Sequence, residues 1–310
     1  MKAVAIVKEL GVKVLIIGIN GFIGDHVASD LEQRGHDVIG IDRFSGNGKH
    51  QTDIFDVTQE DIDDYLKKSN PDIIINCAGQ ANVPNSVEHP EGDLQENTVL
   101  VHKILFAMKQ CGMASRRLVQ LSSAAVYGNP ETLPVKESSE CKPLSPYALH
   151  KKMSEDICDF FNNIYGFNIV TLRIFSVYGP GLRKQIFWDL YHKIKKTGKM
   201  EMWGTGGESR DYIYIDDLTD VIYLAATVSN PDTYIWNVAS GKEVYIKDVA
   251  DKYAEIIGIS KDKISFNGII REGDPLNWCA DITELRKYGF EPKTDIETGI
   301  KNYVDWITNI

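Results

Sequence analysis

A tyrosine and a lysine four residues apart offer proton-transfer chemistry. Tyr147 and Lys151 follow Pro146, a residue that suits the first turn of a helix, and on a helix the two side chains would share one face. An unperturbed phenol titrates near ~10, and a nearby cation favours its ionised form. Tyr147 is therefore a candidate acid and base for a reversible alcohol oxidation.

Two serines precede this segment. Ser122 and Ser123 follow the apolar run 117–121, which reads as a buried strand. We expect their hydroxyls at its C-terminal end, where open α/β sheets bind ligands. The same spacing also occurs at Tyr191 and Lys195, where an amphipathic helix with a solvated lysine face explains it. Spacing alone leaves a structural role open for the first pair, whereas the serines and a glycine-rich turn favour a catalytic one.

A glycine-rich turn near the N-terminus is typical of dinucleotide binding. The apolar run 12–17 enters Gly18-Ile-Asn-Gly21-Phe-Ile-Gly24, after which the helical period begins. A strand, turn and helix in this order bring backbone amides and a helix N-terminus to a pyrophosphate. The spacing is one residue wider than Gly-x-Gly-x-x-Gly, and a structural loop is the alternative. The residues assigned to the cofactor here are Gly18, Asn20, Gly21, Phe22, Ile23 and Gly24.

The end of the next expected strand, 37–41, bears on the choice between NAD and NADP. Asp42 stands there and can accept both adenosine ribose hydroxyls while repelling a 2′-phosphate. NAD is therefore the predicted cofactor. Arg43 follows directly. Its guanidinium could bind the 2′-phosphate of NADP, or it could be a solvated surface charge. Further cofactor contacts are assigned to Asp53, which could equally be a turn or cap residue, and to Ile54, Ala78 and Gln80.

Strands alternate with helices from residue 12 to residue 174, and this alternation predicts an α/β fold with a doubly wound parallel sheet of the Rossmann type. After Gly181 the connections become irregular, and Asp216 or Asp217 is expected to cap a helix that ends at about Val228. We predict a dinucleotide-binding domain of residues 1–175 and about 212–240. A smaller, interwoven substrate domain would take about 176–211 and 241–310.

Composition excludes several classes of partner and site. The chain has 310 residues, of which 43% are hydrophobic and 25% charged, with a net charge of -10. This is typical of a soluble globular protein and disfavours nucleic acid or an anionic membrane as the main partner. Five cysteines form no Cys-x-x-Cys pair, so we predict neither a disulfide framework nor a metal site. No apolar run reaches the length of a signal peptide or a membrane span, and we expect a cytoplasmic protein.

Two arginines stand in glycine-flanked segments of the second half. Arg210 begins Arg-Asp-Tyr-Ile-Tyr-Ile-Asp-Asp, and Arg271 begins Arg-Glu-Gly-Asp-Pro. Together they could clamp a diphosphate in bidentate fashion. Singly, each is more often part of a surface ion pair.

Several short motifs follow one another along the chain. They are the glycine turn, Asp42, Ser122-Ser-Ala-Ala-Val-Tyr-Gly, Tyr147-x-x-x-Lys151, Arg173-Ile-Phe-Ser-Val-Tyr-Gly-Pro and the two arginine segments. Over nearly its whole length the chain resembles the extended short-chain dehydrogenase/reductases, specifically the NAD-dependent nucleotide-sugar epimerase/dehydratase group.

The resemblance implies roles for individual residues. Ser123 would be the catalytic hydroxyl and Tyr147 the acid and base. Lys151 would bind the nicotinamide ribose and lower the pKa of Tyr147. The substrate, a nucleotide diphosphate sugar, would be held by Arg210 and Arg271, and the further substrate-binding assignments are Ser123, Ser176 and Asp274. Ser176 stands where an Asn is common beside the substrate phosphates.

The chain departs from the dehydratases of this group, which carry an acidic pair where it has Ala124 and Ala125. Decarboxylase members also place a Glu in this segment, so both reactions are disfavoured. We predict an NAD-dependent nucleotide-sugar 4-epimerase that acts through a transient 4-keto sugar, with a UDP-sugar favoured. An NAD(P)H-dependent 4-keto-sugar reductase is the alternative. A dehydratase or a non-catalytic dinucleotide-binding protein is less favoured.

The resemblance also implies a homodimer and a role in carbohydrate metabolism, such as polysaccharide biosynthesis. The helices expected at about 92–111 and 146–166 could supply a four-helix contact between two copies. Their apolar stripes would pack equally well against their own sheet.

Overall fold

The computed structural model describes residues 11–269, 273 and 275–310. The strands are β1 Lys13–Ile17, β2 Asp37–Asp42, β3 Thr52–Ile54, β4 Ile73–Asn76, β5 Arg117–Ser123, β6 Asn168–Ile174, β7 Ser176–Tyr178, β8 Met200–Met202, β9 Ser209–Tyr214, β10 Ile235–Val238, β11 Glu243–Tyr245 and β12 Ile264–Phe266. The helices are α1 Phe22–Gln33, α2 Asp63–Ser69, α3 Val83–Glu88, α4 Pro90–Leu94, α5 Leu100–Gln110, α6 Pro146–Tyr165, α7 Gln185–Thr197, α8 Ile215–Thr227, α9 Ile246–Ile257, α10 Thr283–Lys287 and α11 Ile296–Thr308.

Seven parallel strands form the central sheet in the order β10-β6-β5-β4-β1-β2-β3. The chain winds outward from β1 through β2 to β3 and then continues with β4 on the other side of β1. The direction of winding therefore reverses between β1 and β4, which confirms the predicted doubly wound α/β fold. In such sheets ligands bind beyond the carboxyl ends of the strands at this reversal.

Both faces of the central sheet are buried. Consecutive side chains of a strand point to opposite faces, so Val14 and Ile16 join one apolar core with residues of α1 and α8, whereas Leu15 and Ile17 join another with residues of α2, α5 and α6. The uninterrupted apolar sequence of β1 follows from this arrangement, because both of its faces are covered.

Two smaller sheets lie outside the central one. Strand β9 pairs with β7 in parallel and with β11 in antiparallel orientation, and β8 pairs with β12. Between β9 and β11 the chain returns to the central sheet, where β10 is the edge strand and pairs with β6. The predicted division into two domains stays a prediction.

Two elements around the candidate site differ from the bounds that the sequence predicted. The strand expected at 117–121 extends to Ser123, so both serines belong to β5. The helix expected at about 92–111 is interrupted, because a π-helical turn at Gln95–Val99 joins α4 to α5. Such turns insert an extra residue into a helix and often occur at functional sites.

The expected capping of α8 by Asp216 or Asp217 is wrong. Both lie inside the first turn, and Tyr214 precedes the helix without a side-chain cap. The buried Asp217 instead accepts hydrogen bonds from the backbone N–H groups of Lys293 (2.9 Å) and Thr294 (3.1 Å). Among the described residues, none of the helices combines the length and the apolarity that crossing a membrane requires.

Candidate active site

The catalytic candidates meet where α6 begins beside the carboxyl end of β5. Ser145 caps α6 by accepting a hydrogen bond from the N–H of Ala148 (3.2 Å), and Pro146 takes the first helical position. Tyr147 and Lys151 lie one turn apart on the buried side of the helix, with exposed fractions of 8% and 5%. The local sequence therefore starts the helix where it can present both side chains together.

The two serines at the end of β5 have different partners. Neighbouring strand residues point to opposite sides. Ser122 is buried and donates to Oε1 of Glu155 at 2.6 Å, so its hydroxyl is engaged within the fold. Ser123 is hydrogen-bonded to the side chain of Tyr147 and accepts from the N–H of Ala125 at 3.2 Å. The structure thus brings Ser123, and not Ser122, to the tyrosine.

Burial dominates the proton affinities of the pair. It raises the pKa of Tyr147 to about 12; the Asp93 charge also raises it, whereas the hydrogen bond with Ser123 lowers it. Burial lowers the pKa of Lys151 to about 8, against the charges of Asp93 and Glu155, which raise it. At neutral pH the pair therefore consists of a neutral phenol and an ammonium that is close to its titration.

The expected lowering of the Tyr147 pKa by Lys151 is not found in this structure. The ammonium nitrogen lies 6.0 Å from the centroid of the phenol ring and donates to the backbone oxygen of Leu121 at 3.2 Å. At this distance the loss of water around the phenol outweighs the attraction of the cation.

The second tyrosine and lysine pair has the same spacing but different surroundings. Tyr191 is buried in the core on α7, and the Lys195 nitrogen lies 4.5 Å from its ring centroid. This is a cation–π contact, whereas the Lys151 nitrogen donates to the backbone oxygen of Leu121. The surroundings, and not the spacing, distinguish the two pairs.

The turn between β1 and α1 has the geometry expected for a pyrophosphate site. Gly18 has φ of +81°, the N–H of Gly21 donates to the oxygen of Gly18 (3.2 Å), and α1 begins without a side-chain cap. A Cβ on Gly24 would lie 2.2 Å from the oxygen of Gly18. Only glycine therefore lets α1 approach the turn this closely, and the first N–H groups of the helix have no side-chain cap and can bind an anion.

A cavity of about 670 Å³ opens over this turn, a size that suits a cofactor. Of the residues assigned to the cofactor, those in its lining are Gly18, Asn20, Gly21, Phe22, Asp42 and Ala78. Those outside the lining are Ile23, Gly24, Asp53, Ile54, Gln80, Tyr147 and Lys151. In the segment directly after β3, Asp56 contributes a carboxylate to the lining, whereas Asp53 accepts a hydrogen bond from the hydroxyl of Tyr65 at 3.0 Å. Arg183 adds a cation from the second half of the chain.

The acidic residue at the end of β2 is held at the edge of this cavity. The two carboxylate oxygens of Asp42 accept from the backbone N–H groups of Asn20 (3.0 Å) and Phe44 (3.1 Å). Arg43 forms an ion pair with Glu96, at 2.7 Å between Nη1 and Oε1. The guanidinium that a 2′-phosphate would seek is thus engaged by a carboxylate, an arrangement that favours NAD.

Asn97 is a buried residue next to Gly79 of the cavity lining, and the sequence did not indicate it. Its Oδ1 is buried and has no hydrogen-bond partner among the described residues. A Cβ at Gly79, which has φ of +138°, would lie 2.8 Å from this oxygen and 3.2 Å from the Lys151 nitrogen. A side chain at position 79 would therefore press on both groups, and glycine leaves them room. A polar residue inside an amphipathic helix gave no signal of this.

Residues 14–239 match the model of one protein family, described as the NAD dependent epimerase/dehydratase family. This segment contains the glycine turn, Ser123, Tyr147 and Lys151. The chain belongs to the NAD dependent epimerase/dehydratase family. NAD is accordingly its cofactor, and the cavity over the glycine turn is the place that fits it.

Relatives in the family align with nearly the whole chain. A protein of Methanocaldococcus jannaschii, whose name gives UDP-glucose 4-epimerase as a provisional activity, is 30% identical over 311 residues, which are 96% of this chain and 98% of that protein. The UDP-N-acetylglucosamine 4-epimerase of Methanobrevibacter ruminantium, solved with UDP-N-acetylmuramic acid, has a TM-score of 0.86 at 28% identity, covering 97% of this chain and 99% of that one. The UDP-glucose 4-epimerase of Thermus thermophilus, solved with NAD, has a TM-score of 0.86 at 26% identity, covering 96% and 99%.

The substrate-binding assignments are only partly within the described chain. Arg210 lies in β9 and donates to the backbone oxygens of Ser209 (2.8 Å) and Leu276 (3.2 Å). Ser176 begins β7. Arg271 and Asp274 lie outside the described residues. The roles of all four toward a substrate stay predictions.

Proposed function

We propose that this member of the NAD dependent epimerase/dehydratase family is a nucleotide-sugar 4-epimerase, with a UDP-sugar as the favoured substrate. The observation that carries the proposal is the set of Ser123, Tyr147 and Lys151 at the carboxyl end of β5. Tyr147 and Lys151 are buried, Ser123 is half-buried, and the Lys151 nitrogen lies next to Gly79 of the cavity lining. The relatives named above, whose names give UDP-sugar 4-epimerases, support the same reaction.

The residues divide the work of the reaction. Tyr147 exchanges the proton of the sugar 4-hydroxyl, and Ser123, already bonded to the phenol, orients that hydroxyl. Lys151 and Asn97 hold the ribose side of the cofactor cleft, and the ammonium stabilises negative charge as it develops on the oxygen. When bound, NAD supplies reversible hydride acceptance, so the oxidation at C4 can be undone on the other face of the sugar. The net redox change is zero.

The neighbouring segment argues against elimination of water. Ala124 and Ala125 form the 3₁₀ turn directly after Ser123, where a dehydratase would need its acidic pair. Without a carboxylate at these positions, the turn offers no proton acceptor for elimination. The epimerase and the 4-keto-sugar reductase remain distinguishable by their need for reductant.

Two matched variants test the assignment. We expect Tyr147→Phe to lower kcat about 10²-fold or more, because it removes the proton carrier. Tyr191→Phe removes the hydroxyl of the second tyrosine and lysine pair and should leave turnover unchanged. Undiminished turnover in Tyr147→Phe would refute the acid and base role.

The reaction itself is tested with a panel of UDP-, GDP-, dTDP- and CDP-sugars and identification of the product sugar. An epimerase interconverts a nucleotide sugar and its C4 epimer without added NADH. A strict requirement for stoichiometric NADH would establish the reductase instead.

We also propose that the protein is a homodimer through one face of α5 and α6. Large apolar side chains are exposed together on these helices, namely Phe106, Leu149, Met153, Phe160, Ile164 and Tyr165. A contiguous apolar surface of this kind is usual at an interface between proteins. Cytoplasmic location, a part in polysaccharide biosynthesis and the holding of the diphosphate by Arg210, Arg271 and Ser176 are likewise predictions.

A further inference from the structure

A buried acid and histidine join two helical segments behind the catalytic pair. Asp93 lies in α4 with an exposed fraction of 1%, and its Oδ2 is 2.6 Å from Nδ1 of His150, the residue before Lys151. A carboxylate has no proton to donate, so Nδ1 is the donor. The hydroxyl of Thr98 donates to the backbone oxygen of His150 at 2.9 Å, which ties the same two segments a second time.

The other oxygen of Asp93 orients Asn97. Oδ1 of Asp93 accepts from Nδ2 of Asn97 at 3.0 Å. The reverse amide orientation would set the Asn97 oxygen against the carboxylate, so the acid dictates that the oxygen end of the amide faces Gly79. That end is the buried oxygen without a partner among the described residues, beside the Lys151 ammonium.

The charged and titratable groups that act on Lys151 come from three places. They are Asp93 from α4, Glu155 and Cys158 from α6 itself, and Cys77 from the segment after β4. Glu155 is already paired with the guanidinium of Arg173 at 2.8 Å and accepts from Ser122. Asp93 therefore supplies the carboxylate near Lys151 that is held by His150 and Asn97 and not by an arginine or a lysine.

We propose that Asp93 and His150 are positioning residues of the active site: the Asp93 carboxylate, anchored by His150, sets a negative charge near Lys151 and fixes the Asn97 oxygen beside Gly79 of the cavity lining. The inference rests on the proposed roles of Tyr147 and Lys151. Asp93 acts through these neighbours and makes no contact with the substrate.

The test follows the titration of Lys151 in cofactor-free protein, through the 13Cε signal of labelled lysine assigned with a Lys151→Met variant. Removing the negative charge in Asp93→Asn should move the Lys151 titration to lower pH by about one unit. Asp217→Asn is the matched control, because Asp217 is also a buried acid. Its carboxylate accepts hydrogen bonds from the backbone N–H groups of residues 293 and 294, and it is not among the groups that act on Lys151. It should lower stability without moving the titration.

Variants of His150 keep the inference testable if Asp93→Asn fails to fold. His150→Asn places an N–H near the position of Nδ1 and should preserve the Lys151 titration and the bound NAD content. His150→Leu should lower both. In active enzyme, the pH at which kcat falls on the alkaline side should shift with the Lys151 titration.

The outcomes separate this inference from the proposed function. An unmoved Lys151 titration in a folded Asp93→Asn variant, or equal behaviour of His150→Asn and His150→Leu, overturns the positioning role while leaving epimerase activity intact. A shifted titration in a protein that converts no nucleotide sugar supports the positioning role and refutes the function.

Discussion

Lys151 is the residue at which stability and function conflict. Its ammonium is buried in α6 behind the cavity, and burial lowers its pKa from the ordinary 10.5 to about 8. The folded protein therefore holds this charge at neutral pH only against its desolvation. Under the proposed function, the site tolerates this destabilisation because the reaction uses the ammonium.

The conflict predicts that Lys151→Met is more stable than the parent at pH 7, by about 3 kcal/mol for a shift of this size. Between pH 8 and pH 10.5 the unfolded parent binds a proton that the folded parent has released, so the parent gains stability as pH rises. The advantage of the variant should therefore be full below pH 8 and vanish toward pH 10.5. Urea unfolding of both cofactor-free proteins across this range measures it, and a constant difference would contradict the assignment.

At the scale of elements, the junction of β1 with α1 carries the cofactor site. The helix starts without a side-chain cap and approaches the turn so closely that position 24 has no room for a Cβ. The same glycines allow the helix to pack closely on the turn and leave its first N–H groups available to the cofactor. The turn therefore serves both the fold and cofactor binding.

This junction predicts that Gly24→Ala sharply reduces bound NAD, by about tenfold or more, because the added methyl forces the turn and the helix apart. Gly92→Ala is the matched control, since a Cβ there would meet no atom within 4 Å. Nucleotide released from purified protein, measured by its absorbance, reports the outcome. Equal NAD content in the two variants would show that the turn tolerates the methyl group.

At the scale of the whole molecule, the seven-stranded sheet buries both of its faces within one chain, yet α5 and α6 keep apolar side chains outside. One apolar stripe of each helix packs against the sheet, while further apolar side chains stay exposed, so the contact between two copies remains a prediction. A second copy of the chain is the proposed cover.

The exposed face predicts that Phe160→Asp shifts the protein from dimer to monomer, since the interface would have to bury an unpaired charge. Ile310→Asp places the same charge on another exposed apolar residue, after α11, and should leave the dimer intact. Sedimentation velocity distinguishes the two. A monomeric parent protein would end the dimer proposal.

The sequence alone was enough for the doubly wound sheet, the glycine turn and the pairing of Tyr147 with Lys151. Each depends on neighbours in the chain: an apolar strand, glycines at fixed spacing, and a proline that starts a helix. Local patterns of this kind are set by backbone sterics and by side-chain periodicity, which act over a few residues.

Only the tertiary structure separated Ser123 from Ser122, tied Arg43 to Glu96, and placed Asp93, Asn97 and His150 beside the catalytic pair. It also showed that burial raises the pKa of Tyr147, an effect that the sequence could not indicate because burial depends on every element packed around the phenol. The spacing of residues in the sequence does not reveal which distant residues will form hydrogen bonds or ion pairs, or which side chains will lose contact with water. Both depend on how the sheet and helices pack.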